Sequence, residues 1–133
     1  MKVLGIEFAA SYMNYVGVSG SGEDFDVIKH ERMELHKTRE RESLVAFQDA
    51  VVTLFNEFSP KLIAIKDKPE AGRMPAGAAA LKMEGIVLAN APCQVAFISG
   101  HKINQVSETC DGLYQYSQAS FKTALAALRT FGS

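Results

Sequence analysis

The sequence has no tryptophan, only two cysteines and no long apolar run. A helix needs roughly 18–20 consecutive apolar residues to cross a bilayer, so the chain is not expected to enter a membrane. The apolar run at the N-terminus is short and is interrupted at Glu7, which is not the pattern of a secretory signal. Cys93 and Cys110 form no CxxC pair, so we expect reduced thiols in a cytoplasmic protein and no zinc site.

An excess of basic charge is also absent, because 14 lysines and arginines face 15 acidic residues and the net charge is −1. Proteins that coat duplex nucleic acid over a wide face are usually basic, so this mode of binding is disfavoured, whereas a local basic patch is still allowed. The length of 133 residues and the hydrophobic share of 47% predict one globular domain over the whole chain.

Apolar periodicity and turn signals predict an α/β protein. The predicted strands cover residues 2–9, 12–19, 24–35, 62–65 and 95–98, and the predicted helices cover residues 43–58, 78–91 and 117–130. Ser43 is the expected N-cap of the first helix. The order β-β-β-α-β-α-β-α predicts a five-stranded mixed sheet, three antiparallel strands and then two parallel ones, with three helices. Glycine inside a helix costs about 1 kcal/mol, so Gly85 predicts close packing of the second helix against a strand.

Charged side chains follow the predicted strands. Glu7 lies near the end of the first strand, and Lys66, Asp67 and Lys68 follow the fourth. Open α/β sheets place ligands at the carboxyl ends of their strands. Several basic residues are expected there and are candidates for holding a phosphodiester backbone: Lys66, Lys68, Arg73, Lys82, His101 and Lys102.

Three segments carry a resemblance to a known family. Residues 79–91 form an alanine-rich helix that contains Gly85, residues 93–102 form a strand that ends in a turn and Lys102, and residues 120–126 open the last helix. With the element order, these segments resemble the RuvC-type Holliday junction resolvases, which have the ribonuclease H-like fold, and they suggest a small bacterial branch of it. The resemblance covers the chain loosely and is most specific over residues 62–102.

The resemblance implies a site of four carboxylates that hold two magnesium ions. The first falls on Glu7. The fourth-strand position falls on Lys66, with Asp67 one residue later, and the paired positions of the last helix fall on Ser120 and Thr123. Two-metal chemistry needs several anionic oxygens, which this set does not supply. We therefore expect Lys66 to occupy the place of a metal ion and to pair with Glu7.

Three functions follow as hypotheses. The first is a catalytically degenerate domain without a cofactor that binds a DNA or RNA structure or a protein partner, with a homodimer as one arrangement; its ligand-binding candidates are Lys66, Lys68, Arg73, His101, Lys102, Ser120 and Thr123. The second is a magnesium- or manganese-dependent nuclease, with Glu7 and Asp67 as catalytic residues and Glu70 or Glu84 completing the metal site. The third is an interaction or small-ligand module that shares only the fold.

Overall fold

One five-stranded mixed sheet organises the protein, whose computed structural model describes residues 1–68 and 77–132. The strands are β1 (Lys2–Ala9), β2 (Tyr12–Gly20), β3 (Phe25–Glu34), β4 (Leu62–Lys66) and β5 (Gln94–Ile98). They lie in the order β3-β2-β1-β4-β5. The first three strands pair antiparallel, and β4 pairs parallel with both β1 and β5. The predicted fold class is confirmed.

The described residues contain four α-helices rather than the three predicted. They are α1 (Arg41–Phe58), α2 (Ala78–Asn90), α3 (Gly100–Asn104) and α4 (Gln118–Phe131), and a 3₁₀ turn (Gln115–Ser117) precedes the last. The additional helix, α3, is capped by the Ser99 hydroxyl, which accepts a hydrogen bond from the Lys102 N–H at 3.3 Å. Five residues are too few to show an apolar period, so the sequence pattern could not reveal α3. No described helix has the length and apolarity to traverse a bilayer.

The first helix begins two residues before the predicted N-cap. Helix α1 starts at Arg41, and the Leu44 N–H donates to the Glu40 carbonyl at 3.2 Å. Ser43 therefore lies inside the first turn and is not the cap. The apolar stripe that marks the helix begins only at Leu44, and the charged residues before it face solvent, so the stripe alone placed the start too late.

The two faces of the sheet carry separate helical layers. Helices α1 and α2 pack on one face around Leu4, Ile6 and Ile63. Helices α3 and α4 pack on the other face around Val3, Leu62 and residues of α4. Side chains alternate between faces along a strand, so Glu7 has the same orientation as Val3 and projects on the α4 side. The neighbours of Glu7 on this face therefore come from α4 and from the strands on either side of β1.

The prediction that Gly85 marks close packing is wrong. Gly85 is exposed, and no atom lies within 4 Å of the position that a Cβ would take. The residues of α2 that pack against the sheet are Ala80, Met83 and Val87, which recur at helical spacing and are buried. Gly85 lies away from that stripe, so replacing it costs no contact.

Tyr15 is a buried residue whose ionisation should lower the stability of the protein at alkaline pH. It is 5% exposed, and burial, together with Glu31 and Glu57, raises its pKa from 10.0 to about 12. The folded state favours the neutral phenol, so its contribution is complete below pH 10.0 and declines as the pH rises towards about 12. Across this interval the unchanged protein should lose on the order of 1–2 kcal/mol relative to Tyr15→Phe, measured by urea unfolding at each pH. A pH-independent difference between the two proteins would contradict the expectation.

Candidate functional site

The carboxyl ends of β1 and β4 bring Glu7 and Lys66 together. The parallel register pairs Ile6 with Ile65, so the next residues along each strand are neighbours on the α4 side. The Lys66 ammonium donates to Glu7 Oε2 at 3.2 Å. The side chains are 31% and 15% exposed respectively, so the pair lies at the rim of the sheet and not deep in the core. The predicted pairing of Lys66 with Glu7 is present.

Asn14 connects this pair to the next strand. The antiparallel register places Asn14 opposite Glu7, and its amide Nδ2 donates to Glu7 Oε1 at 3.5 Å. Asn14 is only 1% exposed, and its Oδ1 accepts a hydrogen bond from Arg32 Nε at 3.2 Å. Both oxygens of the Glu7 carboxylate are therefore engaged, one by an ammonium and the other by an amide that is itself held in place.

Aromatic rings enclose the Arg32 guanidinium. Its Cζ lies 3.7 Å from the centre of the Tyr12 ring and 3.9 Å from the centre of the Tyr116 ring. A guanidinium stacks on aromatic faces through its planar, delocalised charge, which attracts the ring electrons. The stacking fixes Arg32, and through it Asn14, beside Glu7.

The predicted residues near the end of β4 divide into described and undescribed ones. Lys68 donates from Nζ to the Phe8 carbonyl, next to Glu7 in β1. Asp67 is exposed, and its main-chain N–H donates to the Ile98 carbonyl at 2.9 Å. Arg73 and Glu70 lie outside the described residues.

Three other basic residues make the following contacts away from Glu7, Lys66 and Asn14. Lys82 donates to the Thr38 carbonyl at 2.7 Å and belongs to α2, which packs on the opposite face of the sheet. His101 contacts Gln105 within 3.1 Å on the surface. Lys102 lines a cavity with Ala126 and Arg129, towards the C-terminal end of α4, whereas Glu7 lies near the N-terminal end of that helix.

Ser120 and Thr123 are buried and bonded to the main chain. The Ser120 hydroxyl donates to the Asn14 carbonyl at 2.8 Å, and the Thr123 hydroxyl donates to the Ala119 carbonyl at 2.7 Å. Both residues have 0% exposure. The Ser120 hydrogen bond therefore links α4 to β2 at Asn14, whereas the Thr123 hydrogen bond lies within α4.

The described side chains do not fit a two-metal site. Within residues 1–68 and 77–132, no group of three or more histidine, cysteine, aspartate or glutamate side chains is placed to hold a metal ion. Glu84 belongs to α2, on the face of the sheet away from Glu7. Magnesium requires nearly octahedral oxygen ligands, and a carboxylate already paired with an ammonium is a poor start for such a site.

Sequence reasoning missed Asn14, Arg32, Tyr12 and Tyr116. The signal for Asn14 was the first hairpin, since a two-residue turn at Ala10 and Ser11 sets Glu7 opposite Asn14. That turn contains no glycine, proline or asparagine, and Ala10 adopts a left-handed φ of 53°. The predicted strands 2–9 and 12–19 leave these two residues as the turn, so Asn14 could have been derived as the neighbour of Glu7, whereas the residues of β3 and the segment before α4 could not.

The sheet order and the two helical layers define a ribonuclease H-like fold. A solved structure of Thermus thermophilus RuvC is similar, with a TM-score of 0.76, 14% identity and coverage of 95% of this chain and 92% of that chain. The yeast mitochondrial Holliday junction resolvase is similar with a TM-score of 0.57, 14% identity and coverage of 96% and 77%. A fowlpox virus resolvase, solved with its substrate Holliday junction DNA, has a TM-score of 0.57, 12% identity and coverage of 96% and 97%.

The particular family is given by the sequence itself. The chain belongs to the family described as Protein of unknown function (DUF3010), whose profile matches residues 1–127. No curated protein matches the sequence.

Proposed function

We propose that this RuvC-like domain binds a nucleic-acid structure at the rim formed by β1 and β4 and does not cleave it. The observation that carries the proposal is the contact of 3.2 Å between the Lys66 ammonium and the Glu7 carboxylate. An ammonium has three N–H donors, and Lys66 is 31% exposed, so donors other than the one on Glu7 can reach a phosphate oxygen. Anionic phosphate is the ligand that such a group recognises.

The same contact argues against metal-dependent cleavage. A lysine about 4 Å from a second unit positive charge repels it by roughly 4 kcal/mol at an effective dielectric of 20, and a divalent ion is repelled more. The Glu7 carboxylate is already neutralised by Lys66 and held by Asn14. We therefore propose that the chain is a binding protein rather than a nuclease.

Acidic residues at the same rim favour a nucleic-acid contact at a few points over a contact across a wide surface. Asp67 is exposed after β4, and Glu34 pairs with Tyr12 across the edge of the sheet. Together with the net charge of −1, they limit the basic surface to a few points. Such a surface suits a shaped target, for example a branch point, better than a long stretch of uniform duplex.

Replacing Lys66 should weaken DNA binding and should also reduce the dependence of binding on salt. Gel-shift titrations at low salt would compare four-way, duplex and single-stranded DNA, because phosphate contacts are strongest there. Lys66→Met should bind less tightly, and its slope of log K against log salt should fall by about 1, since one phosphate contact is lost. Lys61→Met is the matched control, because Lys61 is exposed beside Lys2 at the opposite end of β4 and should leave binding unchanged.

Glu7→Gln separates binding from catalysis. Removing the carboxylate releases the Lys66 ammonium, so the variant should bind DNA more tightly than the unchanged protein. A nuclease that used Glu7 would instead lose cleavage in magnesium or manganese. Absence of binding to all three DNA forms at low salt, or strand cleavage that Glu7→Gln abolishes, would overturn the proposal.

A further inference from the structure

Tyr114 extends the aromatic stack around Arg32 by one layer. Its ring is parallel to the Tyr116 ring, with an interplanar angle of 8° and centroids 5.2 Å apart. The layers therefore run from Tyr12 through the Arg32 guanidinium and Tyr116 to Tyr114. They come from β2, β3 and the segment before α4, so three separate parts of the chain build one continuous stack.

The outer end of the stack is open. Tyr114 is 64% exposed, and its one ring contact within the described part of the chain is the contact with Tyr116. Exposure of this extent on a ring with one covered face leaves the other face to solvent. The inner layers hold the ring in place, so a planar partner would meet a surface that is already ordered and would lose little entropy to ordering it.

A nucleobase is the planar partner that this surface fits best. Every base has a π-face, and stacking on an aromatic side chain requires no hydrogen-bond donor or acceptor from the protein. The stack carries the positive charge of Arg32, which suits a ligand with an anionic backbone. Through the bond between Arg32 and Asn14 and the bond between Asn14 and Glu7, the stack joins the rim where we place the phosphate contact of Lys66.

We infer that Tyr114 is the platform on which an unpaired nucleobase stacks, an inference that rests on the proposed binding of nucleic acid. A base inside an intact duplex is covered on both faces by its neighbours and cannot reach the ring. The site therefore selects single strands, ends and branch points, where a base can leave the stack at low cost.

Fluorescence anisotropy with a labelled single-stranded oligonucleotide tests the inference. Tyr114→Ala should weaken binding by about 5- to 150-fold, the range that stacking on one aromatic residue supplies. Tyr114→Phe keeps the ring and should bind as the unchanged protein does. Phe131→Ala is the matched control, because it truncates an aromatic side chain that is also exposed, at 46%, but belongs to the end of α4.

Two further readouts identify a base as the partner of Tyr114. The slope of log K against log salt should be the same for Tyr114→Ala and the unchanged protein, because stacking releases no counterions. An oligonucleotide with abasic sites throughout should bind both proteins equally weakly. Binding to intact duplex should be unaffected by Tyr114→Ala, and equal losses on duplex and single strand would overturn the inference.

The results of these experiments distinguish failure of the Tyr114 platform from failure of the proposed nucleic-acid binding. If the unchanged protein binds no nucleic acid, the proposed function fails and this inference fails with it. If the unchanged protein binds single strands and Tyr114→Ala binds them equally well, only the stacking platform fails. Tyr114 is largely exposed, so its replacement should not unfold the chain, and equal melting temperatures would verify this.

Discussion

Lys66→Glu is expected to destabilise the metal-free protein and to make its melting temperature rise with manganese. The substitution removes the cation that Glu7 contacts at 3.2 Å and places a second carboxylate beside the first. Two like charges about 4 Å apart repel by roughly 4 kcal/mol at an effective dielectric of 20, and the 31% exposure of position 66 reduces this. We expect a net loss of about 2–3 kcal/mol without metal.

Manganese should reverse much of that loss. Carboxylate oxygens are suitable ligands for a hard divalent cation, so the paired acids of Lys66→Glu form the beginning of a site that the unchanged protein lacks. A ligand that binds only the folded state adds about 2.7 kcal/mol at one hundred times its dissociation constant. Thermal melts across a manganese series, with calorimetric titration of the folded protein, would measure the effect.

Two control variants separate a metal site from a general charge effect. Lys66→Met removes the cation without adding an anion, so its melting temperature should not respond to manganese. Lys61→Glu makes the same charge change at the other end of β4 and should not respond either. If the unchanged protein were stabilised by millimolar manganese, Lys66 would not stand in the place of a metal ion, and the nuclease hypothesis with Glu7 and Asp67 would return.

The ion pair at the rim was predicted from the resemblance to the RuvC-type resolvases, which places Glu7 and Lys66 at two positions of one site. Buried apolar runs identified β1 and β4, and the parallel arrangement places their carboxyl ends side by side. Glu7 and Lys66 follow paired residues in the two strands, so they point to the same face. The apolar runs located the two strands, but only the resemblance indicated that the ends of β1 and β4 contribute to the same site.

Arg32, which bonds Asn14, and Tyr116, which stacks on Arg32, were not predictable from the sequence. Arg32 reaches Asn14 only if the register of β2 and β3 is known, and that register shifts between Gly17 and Val18. Such a shift changes which residues are opposite one another and leaves no clear signal in the sequence. Tyr116 comes from a 3₁₀ turn in a polar segment without periodicity, so its approach to Arg32 is a product of tertiary packing.

The close packing of α4 on the sheet depends on Gly5. A Cβ at this position would lie 2.2 Å from the Ser120 carbonyl oxygen and 2.7 Å from the Ala124 Cβ. The nearer atom belongs to the main chain of a helix, so no flexible side chain can move aside. Helix α4 can approach β1 this closely only because glycine has no side chain, and the approach is what brings Ser120 to the Asn14 carbonyl.

Gly5→Ala is therefore expected to cost about 3 kcal/mol or more, because the helix must move away from the sheet as a unit. For a chain of this size the melting temperature should fall by roughly 10 °C or more. The same movement would separate the Ser120 hydroxyl from the Asn14 carbonyl and so remove the hydrogen bond that links α4 to β2. Urea unfolding would measure the loss of free energy, and thermal melts would measure the fall in melting temperature.

Gly85→Ala is the matched substitution, and its expected effect has the opposite sign. A Cβ at Gly85 meets no atom within 4 Å, and alanine favours a helix over glycine by about 1 kcal/mol, so this variant should be more stable. The two glycines thus differ in what surrounds them and not in their chemistry. If Gly5→Ala were tolerated as well as Gly85→Ala, α4 would not be seated on β1 as described, and the link from Ser120 through Asn14 to Glu7 would lose its basis.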